Sequence, residues 1–567
     1  MTWSQGYDPL GSPILSTIAA ALPILVMLGG LAFLHMRAHV AALAGLATAV
    51  LVAVIGFHMP IGLAGRATAF GAINGLMPIG WIVLNIIFLY QLTNERGQFE
   101  ILRNSIAGVT EDSRLQLLLI AFCFGAFFEG AAGFGAPVAV TGAMLIGLGF
   151  TRLQASGLSL IANTAPVAFG ALGTPILTLA SITGLPLLDL SAMVGRQMFL
   201  FSLIVPFWLL IAYCGWRRML EVWPATLVAG LTFSVLQLVI SNLHGPWLTA
   251  IVSSVGSILA LILFLRVWQP KRIMHVNEAP LSRGDERVPV ASADHPEEAD
   301  EAVIRSAEAP TRRAVAKAWM PWLILTITVF VWGAPQVKGV LDSLFSLELH
   351  VPGLDKVVLR IPPVVASAQA EAAVYKFNLL SMTGTAILFA AVLSGLLMGA
   401  RPGELVRTYG RALRSVSTSL LTIAAMLGLG YLTRFAGIDA TMGLAFAATG
   451  LLYPYFGTML GWLGVAVTGS DTASNVLFGS LQKITSNQLG LSPVLMASAN
   501  SAGGVMGKMV DAQSIVVAST ATQWFGQEGR ILRYVFWHSI VLASLVGILV
   551  MLMAYVAPFT SLVVVAH

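Results

Sequence analysis

The chain has 567 residues, 57% of them hydrophobic and only 10% charged, and its mean hydropathy of +0.84 excludes a soluble globular domain. Its net charge of +5 is spread over short connections between apolar runs, which marks orientation in a membrane and excludes a nucleic-acid-binding face. Cys123 and Cys214 lie inside apolar runs without CxxC or metal-ligand spacing, which excludes a disulfide framework and a cysteine metal site.

Apolar stretches of spanning length predict transmembrane helices at about 13–34, 40–57, 68–93, 155–180, 196–214, 221–240, 247–265, 319–335, 379–399, 416–435, 491–518 and 534–556. The first is too long for the core of a signal peptide and reads as a retained span. Two further segments, about 115–150 and 457–482, are interrupted by polar, glycine-rich turns and read as re-entrant hairpins. The fold class that follows is an all-α polytopic membrane protein with about 12 transmembrane helices and two re-entrant hairpins. With the N-terminus outside, Arg37, Arg152, Arg217, Arg218, Arg530 and Arg533 fall in the cytoplasm, provided each hairpin returns to the side it entered from. Residues 267–318 are rich in Glu, Asp, Arg, Ala and Pro and read as a flexible cytoplasmic linker. Residues 336–376 form a second, outward excursion of mixed polarity.

The first hairpin carries one carboxylate, Glu129, in FCFGAFFEGAAGFGAPVA. A charge at the bilayer midplane costs about 2.5–3.5 kcal/mol, and glycine breaks survive there only beside protein or a watery cavity, so the pair signals a solute path. The device recurs as TGSDTASNVLFG, with Asp471. Tyr90 aligns with Tyr431, Gly97 with Gly437, Glu129 with Asp471 and Asn163 with Asn500, each pair about 340 positions apart, as expected of internal repeats in a transporter. The division expected is repeat 1 over 1–215, a linking helix pair over 216–266, the linker over 267–318 and an inverted repeat 2 over 319–567.

The strings FCFGAFFEGAAGFGAPVA, NTAPVAFGALGTPI, MVGRQ, TGTAILFAA, GWLGV, TGSDTASNVLF and GGVMGKM resemble the bacterial lactate permease family across nearly the whole chain. That resemblance implies uptake of L-lactate, with D-lactate and glycolate, by proton symport in a multi-pass protein of the bacterial inner membrane. No HExxH, Walker A, Rossmann fingerprint or GxSxG elbow is present, so no enzyme and no cofactor is expected. A sodium-coupled or passive carrier or channel for other small carboxylates stays as the alternative, with an integral-membrane enzyme a distant third. Asp511 and Glu371 stand where the family pattern does not lead one to expect a carboxylate. Besides lipid, substrate and proton, no partner is implied, and the glycines at 395 and 399 leave the oligomeric state open.

A 2-hydroxy monocarboxylate needs positive potential, a hydrogen-bond partner for its hydroxyl and a small apolar wall. Helix N-termini near Gly130, Gly133, Gly135, Ser470, Thr472 and Ser474 are candidates for the first. Asn163, Thr164, Asn500 and Ser501 are candidates for the hydroxyl, with Gln513 and Ser514 also in the second break. Lys508 either meets the substrate carboxylate or pairs with Asp511 at i,i+3. Burial disfavours the charged forms of Glu129 and Asp471, which suits proton coupling; helix capping is the competing reading and fits Asp471 better than Glu129.

Overall fold

The computed structural model describes residues 2–32, 34, 36–107, 109–131, 136–278, 311–365, 367–524 and 527–565. The first half of the chain runs through α1 (Pro13–Ala32), α2 (Ala38–Leu51), α3 (Ile61–Asn74) and α4 (Trp81–Glu95). A hairpin of α5 (Gly125–Ala131) and α6 (Ala136–Gly147) follows, then a broken helix of α7 (Arg152–Ala162) and α8 (Thr174–Thr183). Next come α9 (Leu187–Cys214), α10 (Trp223–Leu243) and α11 (Thr249–Val267). The second half comprises α12 (Arg312–Gly333), α13 (Thr383–Leu397), α14 (Pro402–Ala436), a hairpin of α15 (Tyr453–Thr468) and α16 (Asp471–Gln488), a broken helix of α17 (Pro493–Gly507) and α18 (Ala512–Ala521), and α19 (Glu528–Tyr555). Among the described residues, eleven helices are long and apolar enough to cross a membrane.

Several boundaries differ from expectation for identifiable reasons. The span expected over 416–435 is α14, which begins at Pro402; its early turns carry exposed Arg407, Arg411 and Arg414, so hydropathy misses them. The span expected over 68–93 is two helices, α3 and α4, separated by a distorted turn in which Met77 is extended ahead of Pro78. The linker expected over 267–318 is shorter. Thr311 caps α12 through the Ala314 N–H, so the helix starts before 319. At the other end Met274 is buried, with its N–H on Asp112 Oδ2 at 3.0 Å. The intervening 279–310 lie outside the described residues.

Residues 336–376, together with the N-terminal strand and Phe377, form two small sheets. β1 (Trp3–Ser4) pairs in parallel with β3 (Val358–Arg360), which pairs antiparallel with β4 (Gln369–Ala370); β2 (Leu347–His350) pairs antiparallel with β5 (Val374–Phe377). Glu371 is buried between two guanidinium groups, Arg360 Nε at 2.8 Å and Arg434 Nε at 2.7 Å. Arg434 also donates to the Ile182 carbonyl at 3.1 Å, at the C-terminus of α8, where helix carbonyls lack internal partners. Gln5 donates to the carbonyls of Arg434 and Phe435, both at 2.9 Å, and so satisfies the end of α14.

Two contacts cross between the halves in the same manner. α8 of the first broken helix packs on α16 of the second hairpin, and α18 of the second broken helix packs on α6 of the first hairpin. The buried apolar side chains fall into two clusters. One joins α1, α2 and α3 to the C-terminal half of α14 and to α16. The other holds the first hairpin, both broken helices and α9 to α11.

Candidate functional site

The first break begins with an ordered helix start. Thr151 Oγ accepts from the Gln154 N–H at 3.2 Å while Gln154 Oε1 accepts from the Thr151 N–H at 3.3 Å, a reciprocal cap that fixes α7. The helix stops at Asn163, and the chain then turns through Gly170, Leu172 and Gly173 at φ of 41°, 50° and 77° before Pro175 restarts α8. A Cβ at Gly173 would lie 2.7 Å from Pro246 Cβ, so the turn needs glycine for space as well as for conformation. Asn163 Nδ2 donates to Glu129 Oε2 at 3.2 Å, which links the first break to the first hairpin.

In the second half, Gly469 ends α15 in the left-handed conformation, and Ser470 caps α16 by accepting from the Ala473 N–H at 3.3 Å. The cap is therefore Ser470 and not Asp471, contrary to the capping reading of the sequence. Asp471 Oδ2 accepts from the Ser501 hydroxyl in a short hydrogen bond and from Asn475 Nδ2 at 3.5 Å. Asn475 Nδ2 also reaches the Pro175 carbonyl at 3.2 Å, joining the second hairpin to the start of α8. Across from the hairpin tip, α17 ends at Gly507 and Asp511 starts α18 by accepting from the Ser514 N–H at 2.7 Å. Lys508 lies in this gap. Its Nζ donates to the Gly469 carbonyl at 2.6 Å and sits 3.4 Å from Asp511 Oδ2.

These parts enclose a cavity of about 170 Å³. It lies at the seam between the two apolar clusters, with Met27, Met426 and Val476 from one and Val83 and Val167 from the other. Among the described residues, the charged side chains in its lining are Glu129, Asp471 and Lys508, which are 5%, 3% and 7% exposed. Ser470, Thr472, Gln513 and Ser514 supply polar lining from the second half, and Thr174 from the first. Asp471 Oδ1 and Ser514 Oγ are buried and have no hydrogen-bond partner among the described residues.

Not every residue singled out from the sequence reaches this space. Ser501 stands behind Asp471, as Asn163 stands behind Glu129. Asn500 is turned into the protein, where its side chain bonds Ser474, Asn475 and Gln482 at 3.3, 2.9 and 3.2 Å; Ser474 in turn donates to the Gly461 carbonyl. Thr164 bonds the Ile161 carbonyl one turn back at 2.8 Å. These hydroxyls and amides satisfy one another because a buried polar group without a partner is costly. Gly130 packs against α11, where an added Cβ would meet Ala250 Cβ at 2.9 Å, and Gly133 and Gly135 lie outside the described residues.

Three features of the site were not anticipated. Asp511, expected only as a partner of Lys508, also caps α18, a role that Asp three residues ahead of Ser514 could have signalled. Ser419 and Thr422 line the cavity on one stripe of α14 with Ile423 and Met426, foreshadowed by the polar run SVSTS inside an apolar helix. Gly503 and Gly507 let α17 press on α15, where added Cβ atoms would lie 2.2 Å from the Thr458 carbonyl oxygen and 2.4 Å from that of Trp462.

Comparison with known proteins gives a consistent result. The model of the L-lactate permease family matches residues 16–557. The chain is 43% identical over 559 residues to the L-lactate permease of Salmonella typhimurium, covering 98% of each chain. It is also 43% identical over 569 residues to the glycolate permease GlcA of Escherichia coli, covering 100% of each. Among solved structures it is similar to Neisseria gonorrhoeae MtrF, an antimetabolite efflux pump, with a TM-score of 0.50 at 9% identity over 94% of this chain and 98% of that one, a likeness of fold alone.

Proposed function

The chain belongs to the L-lactate permease family, and from that premise we propose that it is a secondary carrier taking up L-lactate, with D-lactate and glycolate, together with a proton. It is a multi-pass protein of the bacterial inner membrane and a permease rather than an enzyme. The observation that carries the proposal is the juxtaposition, in one cavity between the two halves, of a single ammonium, two carboxylates and an apolar wall. In this reading residues 1–215 and 319–567 are inverted repeats joined by a helix pair over 216–266, and their two hairpin tips and two breaks converge on the substrate.

The substrate carboxylate takes the N–H of Lys508 that Gly469 and Asp511 leave over, since an ammonium has three donors. The hydroxyls of Ser470, Thr472 and Ser514 serve the rest of its polar surface, and Ile79, Val83 and Met426 receive the methyl group. Glu129 carries the coupling proton. Asn163 is suited to both of its states: its amide nitrogen donates to the carboxylate, while its Oδ1, unpartnered among the described residues, accepts from the acid after a flip of the amide. Asp471 is the second carboxylate in reach of the substrate and completes the proton-coupling pair.

Uptake of radiolabelled lactate into proteoliposomes, with pH and sodium gradients imposed separately, tests this reading. Accumulation driven by the pH gradient alone is expected; accumulation driven only by sodium, or mere equilibration, would replace it with the sodium-coupled or passive alternative. Replacing Lys508 by Gln removes one charge-assisted hydrogen bond worth about 1.5–3 kcal/mol. The apparent KM for lactate is then expected to rise about ten- to a hundredfold in an inserted, folded protein. An unchanged KM would confine Lys508 to its contacts with Gly469 and Asp511.

A further inference from the structure

Carriers with broken helices hold their coupling cations at half-helix C-termini and at unwound backbone carbonyls, where the helix dipole leaves partial negative charge. The end of α15 has this form. Gly469 turns out of the helix at φ +72, and the acceptor its carbonyl presents at the hairpin tip is taken by Lys508 Nζ at 2.6 Å. The facing break supplies a carboxylate. Asp511 is completely buried; its Oδ1 holds the Ser514 N–H, and its Oδ2, which has no hydrogen-bond partner among the described residues, faces the same ammonium at 3.4 Å. The approach is tight enough that a Cβ on Gly469 would come within 2.8 Å of Asp511 Oδ1. A helix-end carbonyl and a buried carboxylate thus converge, from two elements that meet only in the folded carrier, on one monovalent positive charge. Glu129 and Asp471 line the adjoining cavity, and among the described residues Lys508 is the only cation in that lining.

We propose that the Lys508 ammonium is a tethered substitute for a coupling sodium ion, bonded to the Gly469 carbonyl and the Asp511 carboxylate, and that a sodium site lies latent beneath its side chain. The inference rests on the carrier reading above and explains why such a carrier would run without sodium: the charge that joins hairpin tip to broken helix is covalently supplied. It also gives Asp511 a role as a positioning residue for Lys508.

The test is Lys508→Ala, which removes the charge and leaves room for an ion. Full-length purified protein is unfolded thermally in choline chloride and in sodium chloride at equal ionic strength. Wild type is expected to unfold at the same temperature in both, whereas Lys508→Ala is destabilised in choline and restored saturably by sodium. Lactate counterflow by the variant in proteoliposomes should rise at least tenfold with sodium. Lys508→Met, whose stem fills the space without charge, and Lys508→Ala with Asp511→Asn should show no sodium response. Lys508→Ser replaces Lys508→Ala if the latter does not purify in either salt. Sodium-indifferent unfolding of the small-residue variant, or a sodium response that survives Asp511→Asn, would overturn the proposal. The unfolding measurement needs no transport, so its failure is distinct from that of the carrier reading, which would show as wild-type vesicles that take up no lactate.

Discussion

Glu129→Gln is expected to abolish accumulation of lactate driven by a pH gradient while retaining lactate counterflow. The side chain is buried in the cavity wall, and its hydrogen bond is to an amide that can serve either protonation state. Glutamine keeps the size of the acid and can still accept from Asn163 Nδ2, but it can neither gain nor lose a proton. Counterflow exchanges loaded forms and does not need net proton movement, so it survives; net uptake needs the proton to leave and is lost, a difference expected to exceed a hundredfold. Asp471→Asn provides the contrast. Its carboxylate accepts from Ser501 and so holds the second hairpin to the second broken helix, and it accepts from Asn475, whose amide also bonds the Pro175 carbonyl of the first. The substitution is therefore expected to weaken binding and lower the unfolding temperature as well as uptake. pH-driven accumulation by Glu129→Gln at the wild-type level would move the coupling proton to Asp471 or Asp511.

Gly461→Ala should abolish transport by a different route, through the packing of α15 on α17. A Cβ at this position would stand 2.0 Å from the Asn500 carbonyl oxygen and 2.7 Å from its carbonyl carbon, distances that only backbone movement can relieve. Overpacking of a well-fitted core costs about 1–3 kcal/mol, and a clash with backbone belongs at or beyond the upper end of that range. The two helices carry the hairpin tip and Lys508 respectively, so separating them withdraws the ammonium from Gly469. The unfolding temperature and the uptake rate should fall together. Gly410→Ala, on the exposed early part of α14 where an added Cβ meets nothing within 4 Å, should leave both unchanged. A Gly461→Ala protein with normal uptake would show that α15 and α17 can part without cost to the site.

The parts of the site that could be read from sequence are those where a residue conflicts with its surroundings. Glu129, Asp471 and Lys508 are charges in apolar runs, and the glycines beside them break helices, so both the groups and the breaks were visible without coordinates. Asn500, Ser474 and Thr164 were harder to place. Polar side chains inside a bundle face either a cavity or each other, and the deciding variable is the rotation of a helix that is apolar on nearly every face. Asn500 illustrates this: it has the same local pattern as Asn163, yet one supports the carboxylate of the first hairpin and the other is consumed in a network with Ser474, Asn475 and Gln482. Gly503 and Gly507 have the spacing of a close helix contact, but spacing does not name the partner. The first turns of α14 were lost because charged residues extend a helix beyond the bilayer as readily as apolar ones do within it.

The excursion was unreadable for a different reason, since its central sheet is assembled from distant segments. Trp3 pairs with Val358, and Leu359 with Ala370, so local periodicity carries little information about either strand. That arrangement bears on biosynthesis. During synthesis the strand Trp3–Ser4 emerges long before its partner, and Gln5 before the α14 carbonyls it satisfies. The N-terminal segment must therefore wait, unpaired, while most of the membrane-spanning chain is inserted, and native pairings so remote in sequence close slowly. Its docking against Val358 and Arg434 is a late event in maturation, one that only a chain inserted through α14 can complete.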